Sequence, residues 1–168
     1  IPGYFYITQR GKSLYGEAAL FKREHADAWK STVKKVHQNG SKIIFQICHG
    51  GSLSIKQPGL TKLGVSNIRD TRAMTKQEIE EVIEEFRNSA MLAKEAGADG
   101  VELHVAHGYL LSEFLSPARN KRTDEYGGSL YNRARLFYEV LNEVGKICSP
   151  AFLMTVKING SDCKANGI

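Results

Sequence analysis

Cysteine is scarce in this chain of 168 residues, which carries three. Cys48, Cys148 and Cys163 are odd in number and widely spaced, with no CxxC pair, so neither a disulfide framework nor a zinc knuckle is expected. No apolar run approaches the ~20 residues of a membrane span, and the N-terminus lacks the charged-then-apolar layout of a signal peptide. The expected compartment is therefore cytoplasmic, with no membrane partner. Positive charge is present but not concentrated. The formal net charge is +5, yet Lys and Arg are scattered among acids, and no basic stripe with interleaved aromatics marks a nucleic-acid partner. Also missing are a G-x-G-x-x-G after a strand, which lowers the dinucleotide-fold option, and any HExxH metal signature.

What is there is ordinary globular material, 42% hydrophobic and 24% charged, enough to bury a sizeable core. Residues 4–8 are aromatic and β-branched and read as the end of a strand and the loop after it. Residues 22–38 read as a helix with Trp29, Val33 and Val36 on one stripe and Gly40 as its stop. Residues 42–48, KIIFQIC, form a near-continuous apolar run expected of a strand covered on both faces. Residues 49–74 follow as a long loop of functional character. Thr75 and Glu78 make a T-x-x-E capping box before Ile79, Val82, Ile83, Phe86, Ala90 and Ala93 at helical spacing. Residues 100–104 read as a strand. After another long loop, Ser129 caps a helix with the stripe Leu130, Ala134, Phe137, Leu141 and Val144. Residues 151–158, AFLMTVKI, read as a second doubly covered strand.

Helix-to-strand links are short, whereas two strand-to-helix links run to roughly 25 residues, so one end of the sheet is the working face. Strand and helix alternate without an antiparallel signal. This predicts an α/β fold with right-handed crossovers in a parallel sheet, satisfied by a (β/α)8 TIM barrel or a doubly wound sheet.

The chemistry gathers where residues 100–104 open into a loop. His104 and His107 are spaced to offer N–H groups to one developing negative oxygen, and Tyr109 follows as a phenol that is a neutral proton donor at pH 7. The structural alternatives are a histidine that satisfies a backbone carbonyl and a tyrosine packed on a rim. Metal binding by His104 and His107 would need a third ligand, which His49 or Glu102 could supply only by coincidence of fold. Gln46 lies inside an apolar strand and needs partners there. Lys157 lies near the end of another and needs an anionic neighbour or an exit to solvent.

The pieces GADGVELH, HGYLLSEFLSP and NKRTDEYGGSLYNRAR, in that order, resemble the old yellow enzyme family of flavin-dependent ene reductases, also called NADH:flavin oxidoreductases; weaker similarity extends over nearly the whole chain. The resemblance implies the TIM barrel, and because a complete barrel takes ~250 residues, it implies a partial one. Residues 1–3 would then end strand 2 and residues 151–158 would be strand 5, giving one incomplete FMN-binding domain over residues 1–168, about strands 2 to 5, with strand 1 and strands 6 to 8 absent. It further implies FMN as cofactor, NADH or NADPH as reductant and an enone-type small-molecule substrate. His104 and His107 would hold the substrate carbonyl, with His107 standing where many relatives carry Asn, and Tyr109 would protonate the α-carbon. Gln46, in FQICHGG, would meet the flavin pyrimidine edge, Lys157 the flavin N1 and C2 carbonyl, and Gly3 would let backbone approach the ring. Relatives often carry Arg after the FQICHGG stretch, where this chain has Ser52. Asp124, Tyr126, Asn132 and Arg133 read as structural. Two rivals remain: a cofactor-free half-barrel that associates through its strand edges, a homo-oligomer included, and a metal-dependent barrel enzyme.

Overall fold

The computed structural model describes every residue except Lys164. Its strands are β1 (Phe5–Tyr6), β2 (Ala18–Ala19), β3 (Ile44–Cys48), β4 (Lys62–Gly64), β5 (Thr71–Ala73), β6 (Gly100–Val105) and β7 (Leu153–Ile158). Its helices are α1 (Arg23–Gln38), α2 (Lys76–Glu95), α3 (Leu110–Leu115), α4 (Leu130–Arg133) and α5 (Arg135–Gly145). Five strands form one sheet in the order β2-β1-β3-β6-β7, with every pairing parallel. The small pair β4-β5 stands apart, inside the loop after β3. A parallel sheet joined through helices is the expected α/β arrangement, a stretch of (β/α)8 barrel.

The alternation of each strand divides the sheet into two unlike faces. Phe45, Ile47, Val101, Leu103 and Val105 are buried on the helix side, where Phe5 stacks on Phe45 at 4.7 Å and both rings meet Trp29 of α1. Gln46, Glu102 and His104 point to the other side, the inside of the curve. α2 packs Ile79, Val82, Phe86, Ala90 and Ala93 into the core, as its spacing predicts. Its capping box forms as expected: Thr75 Oγ accepts from the Glu78 N–H at 3.2 Å and the Glu78 carboxylate accepts from the Thr75 N–H at 2.8 Å. Gly40 and Gly97 close α1 and α2 in the left-handed region, with φ of 72° and 88°.

Several expectations need correction. The first pairing residues are Phe5 and Tyr6, so residues 1–3 precede the strand rather than end it. The last predicted helix breaks at Ala134 into α4 and α5; of its expected stripe Ala134 and Val144 are buried and Phe137 and Leu141 pack half-buried on the core, joined by Leu136 and Val140, while Leu130 is 60% exposed. β7 is not doubly covered: it is the edge of the sheet, and Leu153, Val156 and Ile158 are exposed. Among the described residues β7 pairs with β6 alone. The short helix α3, wholly buried, lies in what the sequence presents as loop.

The residues read as structural hold loops together. Arg122 donates to Met74 O at 2.7 Å and Val65 O at 3.3 Å, and grips both oxygens of Asp124, with its guanidinium about 6 Å from the Phe114 and Tyr126 ring centroids. Tyr126 donates to Glu139, and Arg133 donates to Leu115 O and Gly128 O. Arg122→Ala strands two carbonyls and a carboxylate, so urea unfolding is expected to show a loss of about 2–4 kcal/mol. A loss under 1 kcal/mol would show that Arg122 does not tie the two loops.

Candidate active site at the end of β6

The site is built where β6 ends. His104 is the last inward-pointing residue of that strand, 1% exposed, and stands in register with Lys157 of β7. Its Nδ1 accepts the Ala106 backbone N–H at 3.3 Å, so the neutral ring carries its proton on Nε2, free to donate inward. Burial, with added repulsion from His107 and Lys157, holds the imidazole down at about 4. At neutral pH it is an uncharged N–H donor.

The chain then turns sharply. His107 and Gly108 both adopt left-handed backbone, φ 60° and 77°, a conformation that a residue with a side chain adopts at a cost of about 1–2 kcal/mol. The His107 N–H donates to the Asn159 side chain at 3.2 Å, just past β7. The turn brings the His107 ring to 5.0 Å from that of His104, edge-on at 79°. Tyr109 caps α3 with extended backbone, and its ring also lies 5.0 Å from His104, at 84°. The imidazole of His107 and the phenol of Tyr109 thus converge on His104.

The other predicted residues sit less closely. Gln46 is on the same inner face one layer down, and its Nε2 donates to Glu102 Oε1, its register partner on β6. That bond supplies the partner its burial requires. Lys157 stands exposed on the open inner face of β7, and among the described residues it enters no ion pair. Thr155, in register with Glu102, has a buried Oγ1 without a hydrogen-bond partner among the described residues. An amide, an orphaned hydroxyl and a free cation along one inner rim fit the donor-and-acceptor edge of a flavin ring. Gly3 is not drawn into the cluster: it is exposed, a Cβ there would meet nothing within 4 Å, and it lines a cleft with Tyr4, Glu17 and Trp29. The fold does not demand glycine at that position.

Two further residues have structural work. His49 is buried, its Nδ1 accepts the Gly51 N–H at 3.0 Å, and its ring lies so close to Gly11 that a Cβ there would fall 2.7 Å from it. Burial pushes it down to about 3. Among the described residues no three His, Cys, Asp or Glu side chains gather to hold a metal. Ser52 donates its N–H and hydroxyl to the buried Glu113 carboxylate on α3, whose pKa burial raises.

Sequence reading missed Tyr4, whose hydroxyl is 2.6 Å from that of Tyr109 and whose ring lies 5.5 Å from His104. Only its type and its place beside a strand hinted at it; the pairing joins residues 105 positions apart.

The titration of His104 is open to test. Its pKa is lower folded than in an unfolded chain, ~6.5, so the fold binds fewer protons; the associated stability is full above that value and is lost as pH falls toward about 4. His49 acts in the same direction. Urea unfolding at pH 7 and pH 5 is expected to show this loss, reduced in His104→Asn. An equal loss in that variant would show that His104 is not held neutral.

Comparison with known proteins places this geometry. The NADH:flavin oxidoreductase / NADH oxidase family matches residues 1–166. An NADPH dehydrogenase of Halalkalibacterium halodurans is 39% identical over 141 residues, 82% of this chain and 42% of the relative. An NADH-dependent flavin oxidoreductase of Aspergillus parasiticus is 39% identical over 174 residues, 97% of this chain and 39% of the relative. Morphinone reductase, solved in complex with tetrahydroNAD, superposes with a TM-score of 0.85 at 28% identity, over 91% of this chain and 49% of that one. The chain spans less than half the length of these two curated relatives. With the family matched along nearly the whole chain and the parallel sheet superposing on a solved member, the chain belongs to the NADH:flavin oxidoreductase / NADH oxidase family, the old yellow enzymes.

Proposed function

We propose that this chain is one incomplete FMN-binding TIM-barrel domain, strands 2 to 5 of the barrel, from an enzyme that uses NADH or NADPH to reduce activated alkenes. The observation that carries this reading is the convergence of a neutral His104, His107 and Tyr109 at the end of β6. FMN reduced by the nicotinamide would supply a hydride to the β-carbon of an α,β-unsaturated carbonyl. His104, through Nε2–H, and His107 donate to the carbonyl oxygen and stabilise the negative charge that develops there. Tyr109 gives its hydroxyl proton to the α-carbon, completing addition of two hydrogens across the double bond. Gln46 and Lys157 hold the flavin edge, Lys157 by its positive charge. Gly3, away from the cluster, is the assignment with least support from the geometry.

On this reading β7 is strand 5, and its unpaired edge, with Leu153, Val156 and Ile158, faces the place of the next strand of the barrel. Among the described residues no helix is long and apolar enough to cross a membrane, and the substrates are taken to be small molecules.

The test is spectroscopic. The full-length protein is expected to be yellow with FMN and to bleach on NADH or NADPH, and Tyr109→Phe is expected to slow alkene reduction about 100-fold while leaving flavin reduction near wild type. Equal losses in both half-reactions would remove Tyr109 as donor; a colourless, chelator-sensitive protein would favour metal chemistry.

A further inference from the structure

A tyrosine that gives up its proton at each turnover must regain one, and a substrate lying over His104 and His107 closes off its front. Behind it stands Tyr4. The two hydroxyls are 2.6 Å apart and the rings 5.2 Å, so the contact is a short hydrogen bond between phenols rather than simple packing. The line continues: Ser13 Oγ is 3.3 Å from Tyr4 Oη and 3.2 Å from Glu17 Oε2. Glu17 is fixed from the far side, its Oε2 accepting the N–H of Ser13 at 2.7 Å and of Leu14 at 3.0 Å. Its other oxygen is buried without a hydrogen-bond partner among the described residues. Glu17 and Tyr4 both line an open cleft of about 330 Å³ between β1 and the loop after it.

Resting on the ene-reductase reading above, we propose that Tyr4 is a positioning residue that returns the proton to Tyr109 along the chain Glu17, Ser13, Tyr4, Tyr109, which opens to solvent in the cleft beside Glu17. One proton moves at each link. When Tyr109 has lost its proton to carbon, the Tyr4 O–H bond breaks and the proton joins the Tyr109 oxygen. The Ser13 hydroxyl proton passes to Tyr4, and the Glu17 carboxyl proton to Ser13. Water in the cleft then reprotonates Glu17. No electrons move and no co-reactant beyond solvent is needed. The chemistry of each link agrees. Burial raises Tyr4, which therefore stays an O–H donor, and burial also raises the Glu17 carboxyl against the opposing amides, so it holds a proton more readily than a surface glutamate. The charged and titratable groups facing this chain are Lys12, Tyr6 and Cys48 around Glu17 and His104 beside Tyr4.

Tyr4→Phe keeps the ring against His104 and removes only the hydroxyl. In the full-length flavoprotein, with 2-cyclohexenone as acceptor, it is expected to lower steady-state alkene reduction about tenfold while reduction by NADPH is unchanged. The fall in alkene reduction as rising pH strips the Glu17 carboxyl of the proton it must supply is expected to vanish in Tyr4→Phe and in Ser13→Ala alike, a change that loosened packing would not produce. Wild-type rate and profile in both variants would overturn the proposal. Tyrosine labelled with ¹³C at Cζ reads the contact without any activity: the Tyr109 signal is expected to shift in Tyr4→Phe, and an unmoved signal would overturn it too. A wild-type protein that neither binds FMN nor oxidises NADPH would sink the ene-reductase reading, and would be seen before any variant is made.

Discussion

The left-handed turn at His107 and Gly108 is the constraint on which the site depends. A strand running on in extended conformation would send alternate side chains to opposite faces and carry His107 away from His104. Reversing the backbone for two residues instead folds the chain back over the strand end and starts α3 with Tyr109 at its cap. Two bonds anchor the turn: the Ala106 N–H on His104 Nδ1, and the His107 N–H on Asn159. The first also selects the tautomer, so one hydrogen bond sets both the position of the ring and the atom that carries its proton.

Around that turn the sheet separates stability from chemistry. Its helix-side face is aromatic and aliphatic, closed by α1, α2 and α5. The inner face carries amide, carboxylate, imidazole and ammonium in successive layers, because parallel register sets Gln46 beside Glu102 and His104 beside Lys157. Polar groups on that face satisfy one another only in part. Gln46 and Glu102 do so, and Thr155 does not.

Much of this was legible in the sequence where local pattern decides the outcome. α2 was readable from its capping box and apolar spacing, and the parallel topology from the alternation of elements. The clustering of His104, His107 and Tyr109 was readable from a short span that one strand end and one turn must hold together. What failed were features set by distant parts of the chain. The pairing of β6 with both β3 and β7 is set by register between distant segments. α3 is too short for its periodicity to register. Leu130 has the spacing of a core residue but precedes the break at Ala134, which rotates it outward. Tyr4, Ser13 and Glu17 reach the site through contacts between segments that no local motif links.

The buried carboxylate of Glu113 on α3 has one more consequence. A Cβ at Gly51 would fall 2.7 Å from its Oε2, and one at Gly64 3.2 Å from the same atom. Two stretches of main chain thus wall in the group that Ser52 holds, so a side chain at Gly51 would press on the helix that Tyr109 caps.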